Sequence, residues 1–277
     1  MLKKLLYFFF LLEILFPTLI KAQDISLFTQ INGRYDFTFI GNTLNPSENT
    51  NFSPTFLYTQ SSANLSLTSN DRIERAYLYW AGSGPGDTNI KLNGVDFTPD
   101  ILSNVVGTAN NFTYFSAFKD ITTFVQSTGN GVYTISDFDL NSYVSTYISN
   151  ATHFAGWAIL VVYENPNLTL NQLNIYQGLE ALSPNRPLGI IDYMTIQLDN
   201  LYLISNTGAK IGFIAWEGDR FIQESERLSF SANGTTNILS NPINPSNNAF
   251  NGTNTESNVT NLFNMDLDVY SIENYIV

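Results

Sequence analysis

The residues best spaced for chemistry lie in "WEGDRFIQESE" (216–226), where Glu217 and Asp219 stand two apart. Two further pairs share the spacing, Asp137 with Asp139 in "DFD" and Asp266 with Asp268 in "DLD". On a strand, residues i and i+2 point to the same face, so each pair concentrates two negative charges on one patch. Solvent at a strand end can satisfy such a patch, and so can a cation. Ca²⁺ takes carboxylate and carbonyl oxygens from loops, which makes Glu217, Asp219, Asp266 and Asp268 candidate calcium ligands. The same region bears on glycoside hydrolysis, which needs two carboxyl groups a few ångströms apart. Sandwich-type glucanases carry E-x-D-x-x-E on a strand. Glu217 and Asp219 meet its first half, but Ile222 occupies the third position, and Glu224 and Glu226 share a face without a third partner.

Other chemistries find less support. There is no cysteine, which removes disulfides, thiol nucleophiles and thiolate-held metal, and the single histidine, His153, leaves no zinc-type cluster. A Ser-His-Asp triad needs a serine on a constrained turn. Ser83 lies in "GSGPG" (82–86), yet Ala81 stands where G-x-S-x-G needs its first glycine, and no phosphate-binding loop follows. Trp80, Trp157 and Trp216 sit in or at the end of apolar strands, so core packing is expected of them rather than sugar stacking. Tyr143 and Tyr147, read as solvent-facing loop residues, are the alternative sugar contacts.

The elements that must position these groups are strands. Charged residues make up only 13% of the chain, polarity comes from Asn, Ser and Thr, and there are 15 Tyr and 21 Phe. Aromatic and β-branched runs between Asn/Gly/Ser/Pro clusters are the composition of an all-β protein. "RYDFTFIG" alternates, with Tyr35, Phe37 and Phe39 on one face. "IERAYLYWAG" (73–82) is a strong strand, and "NIKLNGVDF" (89–97) reads as a hairpin turning at Asn93-Gly94. Strand signals continue through 111–126, 131–140, 168–179, 193–204, 209–219, 227–234 and 263–277, and the helical alternative is weak. The expected fold is an antiparallel β-sandwich, jelly-roll-like, over residues 23–277. The strand character of the last residues suggests the N-terminal part of a longer protein.

"FAGWAILVVYENP" (154–166) raises a membrane question, since no charge falls between Phe154 and Tyr163. Ten residues are too few for a spanning helix, which needs about twenty. A strand apolar on both faces requires cover on both. Trp157, Ile159 and Val161 would face one layer, and Ala158, Leu160 and Val162 another.

The first 22 residues read as a secretory signal: Lys3 and Lys4, then "LLYFFFLLEILFPTLI", then a cleavage site after Ala22. Glu13 interrupts the apolar run. Of the 12 basic and 24 acidic residues, three and one fall within 1–22, which leaves residues 23–277 with 9 and 23, a net charge of −14. An acidic surface repels nucleic acid and anionic membranes, so neither is an expected partner, and no membrane span is expected in the mature chain.

These segments together resemble a known family. "DFTFIGNTL" (36–44), "IERAYLYWAGSG" (73–84), "FSAFKDITTFVQSTGNGVYTISDFD" (115–139), "FAGWAILVVYENPNLTLNQLNIYQGL" (154–179), "AWEGDRFIQESERLSFSANG" (215–234), "NAFNGT" (248–253) and "NMDLDVYSI" (264–272) carry the likeness. Their order is similar to the N-terminal β-rich domain of large secreted, adhesin-like surface proteins of gliding Bacteroidetes. The resemblance implies export to the cell surface and a non-catalytic structural or adhesive role, with a surface glycan, a protein ligand or other modules of a longer chain as partners. Longer members carry a type IX secretion sorting domain, which is not visible here. "EGD" and "DLD" recur in the family, which favours Ca²⁺ as the one cofactor to expect. An extracellular carbohydrate-binding module is the second reading and a glycoside-cleaving sandwich enzyme the third.

Overall fold

The computed structural model describes residues 24–107, 111–182, 193–199, 201, 205–220 and 226–276. Its centre is a five-stranded antiparallel sheet. In spatial order it runs β2 (Tyr35–Thr43), β10 (Ala155–Glu164), β4 (Arg72–Ser83), β8 (Thr113–Asp120) and β7 (Ile101–Val106). The middle of this sheet is the charge-free run itself. Trp157 of β10 lies opposite Trp80 of β4 on one side and Asn42 of β2 on the other.

One face of the central sheet packs on a four-stranded sheet of β3 (Ser61–Leu65), β9 (Gly131–Ser136), β5 (Ile90–Leu92) and β6 (Val95–Phe97). Trp157, Ile159 and Val161 enter this first core beside Trp80, Leu78, Phe115, Leu92, Tyr133 and Ile135. The opposite face carries Ala158, Leu160 and Val162 into a second core. Its cover is the pair β1 (Ser26–Gly33) with β11 (Asn171–Gln177), and the pair β12 (Lys210–Trp216) with β15 (Met265–Ser271). Ile175, Met265, Leu267 and Val269 come from that layer. The alternation read from the sequence therefore holds on both faces, and the outer cover it demanded is present. Tyr35, Phe37 and Phe39 also share the second core, as their spacing predicts. A small hairpin, β13 (Ser229–Ala232) with β14 (Thr235–Ile238), closes a third cluster around Phe230 and Tyr270.

The β5–β6 turn fits its sequence. Asn93 and Gly94 have φ of 49° and 80°, the left-handed pair that a type I′ turn requires. Three expectations are corrected. Residues 193–199 form no strand, and most of the remainder of 193–204 lies outside the described residues. Among the described residues two short α-helices interrupt the β pattern, α1 (Thr122–Thr128) and α2 (Asn141–Tyr147), the second running into a 3-10 turn at Ile148–Asn150. Each starts two residues after an aspartate whose carboxylate accepts the first helical N–H, Asp120 from Thr122 and Asp139 from Asn141, both at 2.9 Å. Tyr143 and Tyr147 lie on α2 rather than on a solvent loop. Tyr147 is buried and donates to the Thr113 carbonyl at 2.6 Å. Tyr143 packs against Gly84. Among the described residues no helix is long and apolar enough to cross a membrane.

Candidate functional site

The three carboxylate pairs meet different fates. Asp137 accepts from Lys91 Nζ at 2.5 Å, and Asp139 caps α2, so "DFD" is held in local structure. Asp266 and Asp268 share one face of β15, as their spacing predicts, and both are fully buried. Asp266 Oδ1 accepts three successive backbone N–H groups, from Asn251, Gly252 and Thr253, at 3.0, 2.8 and 3.0 Å. Asp268 accepts from the hydroxyls of Thr253 and Thr255. The pair thus pins loop 251–255 to β15. Burial and the neighbouring Asp268 push the Asp266 carboxyl well above its ordinary range, against the three N–H groups that favour its charge.

Glu217 and Asp219 have a different setting. The β12–β15 ladder ends at Trp216 opposite Met265, and Glu217 N–H donates to the Asn264 carbonyl at 2.7 Å. Both residues at this last rung are left-handed, Glu217 with φ of 66° and Asn264 with φ of 63°. A glutamate in that region is uncommon, and such strain persists only where the surroundings fix it. Here the surroundings are polar and buried. Asn264 Oδ1 accepts the N–H of Asn49 at 3.1 Å. Asn49 Nδ2 donates to Glu217 Oε1 and to the His153 carbonyl, each at 3.2 Å.

Glu48, next to Asn49, completes the group from the far end of the sequence. Its Oε1 accepts the N–H of Arg220 at 2.9 Å, and its carboxyl meets that of Asp219. Glu226 joins them through its charge, acting on Glu217. Four carboxylates are therefore coupled through their charges: Glu48, Glu217, Asp219 and Glu226. Burial, then Asp219, drives Glu217 up to about 8, although the Asn49 hydrogen bond opposes the shift. Burial lifts Glu48 to about 7, and burial with the charges of Asp219 and Glu48 lifts Glu226 to about 7. Asp219 is raised by burial, with a hydrogen bond to Glu48 working against the shift. Among the described residues, no three acidic or imidazole groups converge at metal-ligand distance, so the four stand near one another without sharing one point. Glu224 lies outside the described residues.

The remaining sequence candidates are accounted for locally. His153 is fully buried, and burial lowers its pKa. Ser83 Oγ donates to the Thr152 carbonyl at 2.6 Å and accepts the Phe154 N–H at 3.0 Å, so it ties down the backbone on either side of His153 rather than the ring. Trp80 and Trp157 are in the first core, and Trp216 is partly buried against the second. Two surface clefts, of about 460 and 540 Å³, are lined around Arg75 and Phe124 and around Arg72 and Gln126, and none of the four acids lines either.

Sequence reasoning named Glu217, Asp219 and Glu226 but missed Glu48, Asn49 and Asn248, whose Nδ2 donates to the Arg220 carbonyl at 3.0 Å and whose backbone is bridged to Glu226. All three lie in Asn-rich loops with no catalytic or metal-ligand motif, although Asn248 opens "NAFNGT", one of the segments that carry the family likeness. No protein-family model, no curated protein and no solved structure matches the chain. The chemistry of the site therefore rests on its own geometry.

Proposed function

We propose that this chain is a non-catalytic structural and adhesive domain, exported and displayed on a bacterial cell surface. The observation that carries the reading is a rigidly anchored loop that displays aromatic side chains. Residues 44–58 leave β2 and return to the body through several fixed points. Leu44 N–H donates to the Ala155 carbonyl, Tyr58 N–H to the Leu44 carbonyl, and Asn45 and Asn49 both donate to the His153 carbonyl. Leu57 is buried and exchanges two hydrogen bonds with the Asn141 side chain, at 2.9 and 3.0 Å.

Between these anchors Phe52, Phe56 and Tyr58 are 68%, 48% and 51% exposed. Large apolar side chains held in water by a fixed backbone bind a partner without a large ordering cost. Phe56 and Tyr58 meet edge-to-face at 5.5 Å, rather than as the coplanar platform that sugar stacking uses. That favours a protein ligand over a glycan. The acids of the candidate site support a structural role, because they are enclosed among Asn49, Asn264 and Arg220 rather than lining either cleft.

The test of display is direct. In cells that make the full chain, protease added outside should digest it, and its N-terminus should begin at Gln23. A chain that stays protected inside and keeps residues 1–22 would refute export.

A further inference from the structure

The acid cluster contains more unsatisfied oxygen than a folded interior tolerates. Glu48 Oε2 and Glu226 Oε2 are buried, and no N–H or O–H reaches either of them. Two neutral amides add to this. Asn49 and Asn248 are each 3% exposed, and the Oδ1 of each is buried without a donor. Their orientations are fixed by their other atoms. Asn49 Nδ2 faces two acceptors, Glu217 Oε1 and the His153 carbonyl, and Asn248 Nδ2 donates to the Arg220 carbonyl at 3.0 Å. Flipping either amide would set oxygen against oxygen. Asn248 is also bridged in parallel to Glu226, and Arg220 N–H holds Glu48. These four buried oxygens without donors belong to residues tied together through Glu217, Arg220 and the Glu226–Asn248 bridge, and Glu48 and Asp219 share a carboxyl hydrogen bond that needs a proton.

We propose that Glu48, Asp219 and Glu226, with the amide oxygens of Asn49 and Asn248, bind one divalent, oxygen-seeking cation, Ca²⁺ in an extracellular setting. The donor set is all oxygen, part carboxylate and part neutral carbonyl, which suits Ca²⁺ and not a soft transition metal. Mg²⁺, which demands near-ideal octahedral geometry and keeps several waters, suits a mixed carboxylate and amide set less well. The cation would draw in the carboxylates, which now stand apart. In doing so it would clamp three segments distant in sequence: the loop after β2, the end of β12, and the stretch from Glu226 to Asn248. Glu48 and Asn49 belong to the anchored loop 44–58, but the site uses none of its exposed aromatic side chains and stands whether or not the domain is displayed.

The experiment compares melting of the purified chain near neutral to mildly alkaline pH, in chelator and in millimolar CaCl₂, for the wild type, Glu226→Gln and Glu48→Gln. Ca²⁺ should raise the melting temperature of the wild type. Each variant should melt at or above the wild type in chelator, because one buried charge is gone, and should lose most of the Ca²⁺-induced rise. That opposite pair of signs separates a lost ligand from a damaged fold. Tb³⁺ luminescence sensitised by the protein should follow the same order. A wild type that Ca²⁺ does not stabilise, because protons alone satisfy the cluster, overturns the site. So does a Ca²⁺-induced rise that survives in both variants.

Discussion

Asn49 Nδ2 lies 3.2 Å from Glu217 Oε1, a hydrogen bond across 168 residues that joins the loop after β2 to the end of β12. The same amide nitrogen bonds the His153 carbonyl, so one side chain ties together three segments. Asn49→Ala should destabilise the chain by about 1–3 kcal/mol, since it takes the amide donor from the Glu217 carboxyl and one of two donors from the His153 carbonyl. Urea midpoints of wild type and variant check it. Asn49→Asp should be worse, because it sets a fifth carboxylate against Glu217.

The raised carboxyls make a prediction about pH. Glu217 at about 8, and Glu48 and Glu226 at about 7, hold protons in the folded chain that the unfolded chain releases near 4.5. The folded state therefore binds more protons through that window, and stability must fall as pH rises from about 5 to about 8. His153, whose pKa burial lowers, acts the other way near its ordinary value but is a single group. Asp100, held low by Lys119, acts only below the window. Melting temperature in chelator should decline steadily across that range. A flat or rising profile would show that the acids are not buried together.

Cover on both faces of β10 has a mutational signature. Ile159 points into the first core and Leu160 into the second, at 0% and 8% exposure. Ile159→Ala and Leu160→Ala should each cost about 2–5 kcal/mol in denaturant unfolding, the range for a truncated core aliphatic. If Leu160→Ala costs less than about 1 kcal/mol, the β1–β11 and β12–β15 layer does not seal that face.

Gly218 is the only residue type that fits between the two buried acid groups. A Cβ there would fall 2.6 Å from Asp266 Oδ2 and 2.7 Å from the Phe250 carbonyl. Gly218→Ala should cost about 1–3 kcal/mol, the range for overpacking. Asp266→Ala should cost more, about 3–5 kcal/mol, because it frees three N–H groups of loop 251–255. Thermal melts of the two variants rank them.

The sequence was legible where one chemical pattern decided the structure. Alternation fixed the two faces of β10, and Asn93-Gly94 fixed a turn. The carboxylate spacing in "DLD" placed Asp266 and Asp268 on one face, although not what they bind. The helices were legible in principle, through Asp120-Ile-Thr and Asp139-Leu-Asn, but seven residues give too short an apolar period to compete with the surrounding strand pattern. Glu48, Asn49 and Asn248 were not legible. Their partners lie far away in the chain or across loops, and only the packing of β2, β10 and β12 brings them together.

The central claim is that loop 44–58 presents a fixed adhesive surface, and binding to cells tests it most directly. Beads carrying the purified chain would be applied to the cells that produce it, beside beads carrying a Phe52→Ser, Tyr58→Ser variant of equal melting temperature. The account predicts that wild-type beads are retained and that the variant loses retention by about tenfold or more, the scale expected when aromatic anchors are removed. Equal retention of both, or none with the wild type, would contradict it.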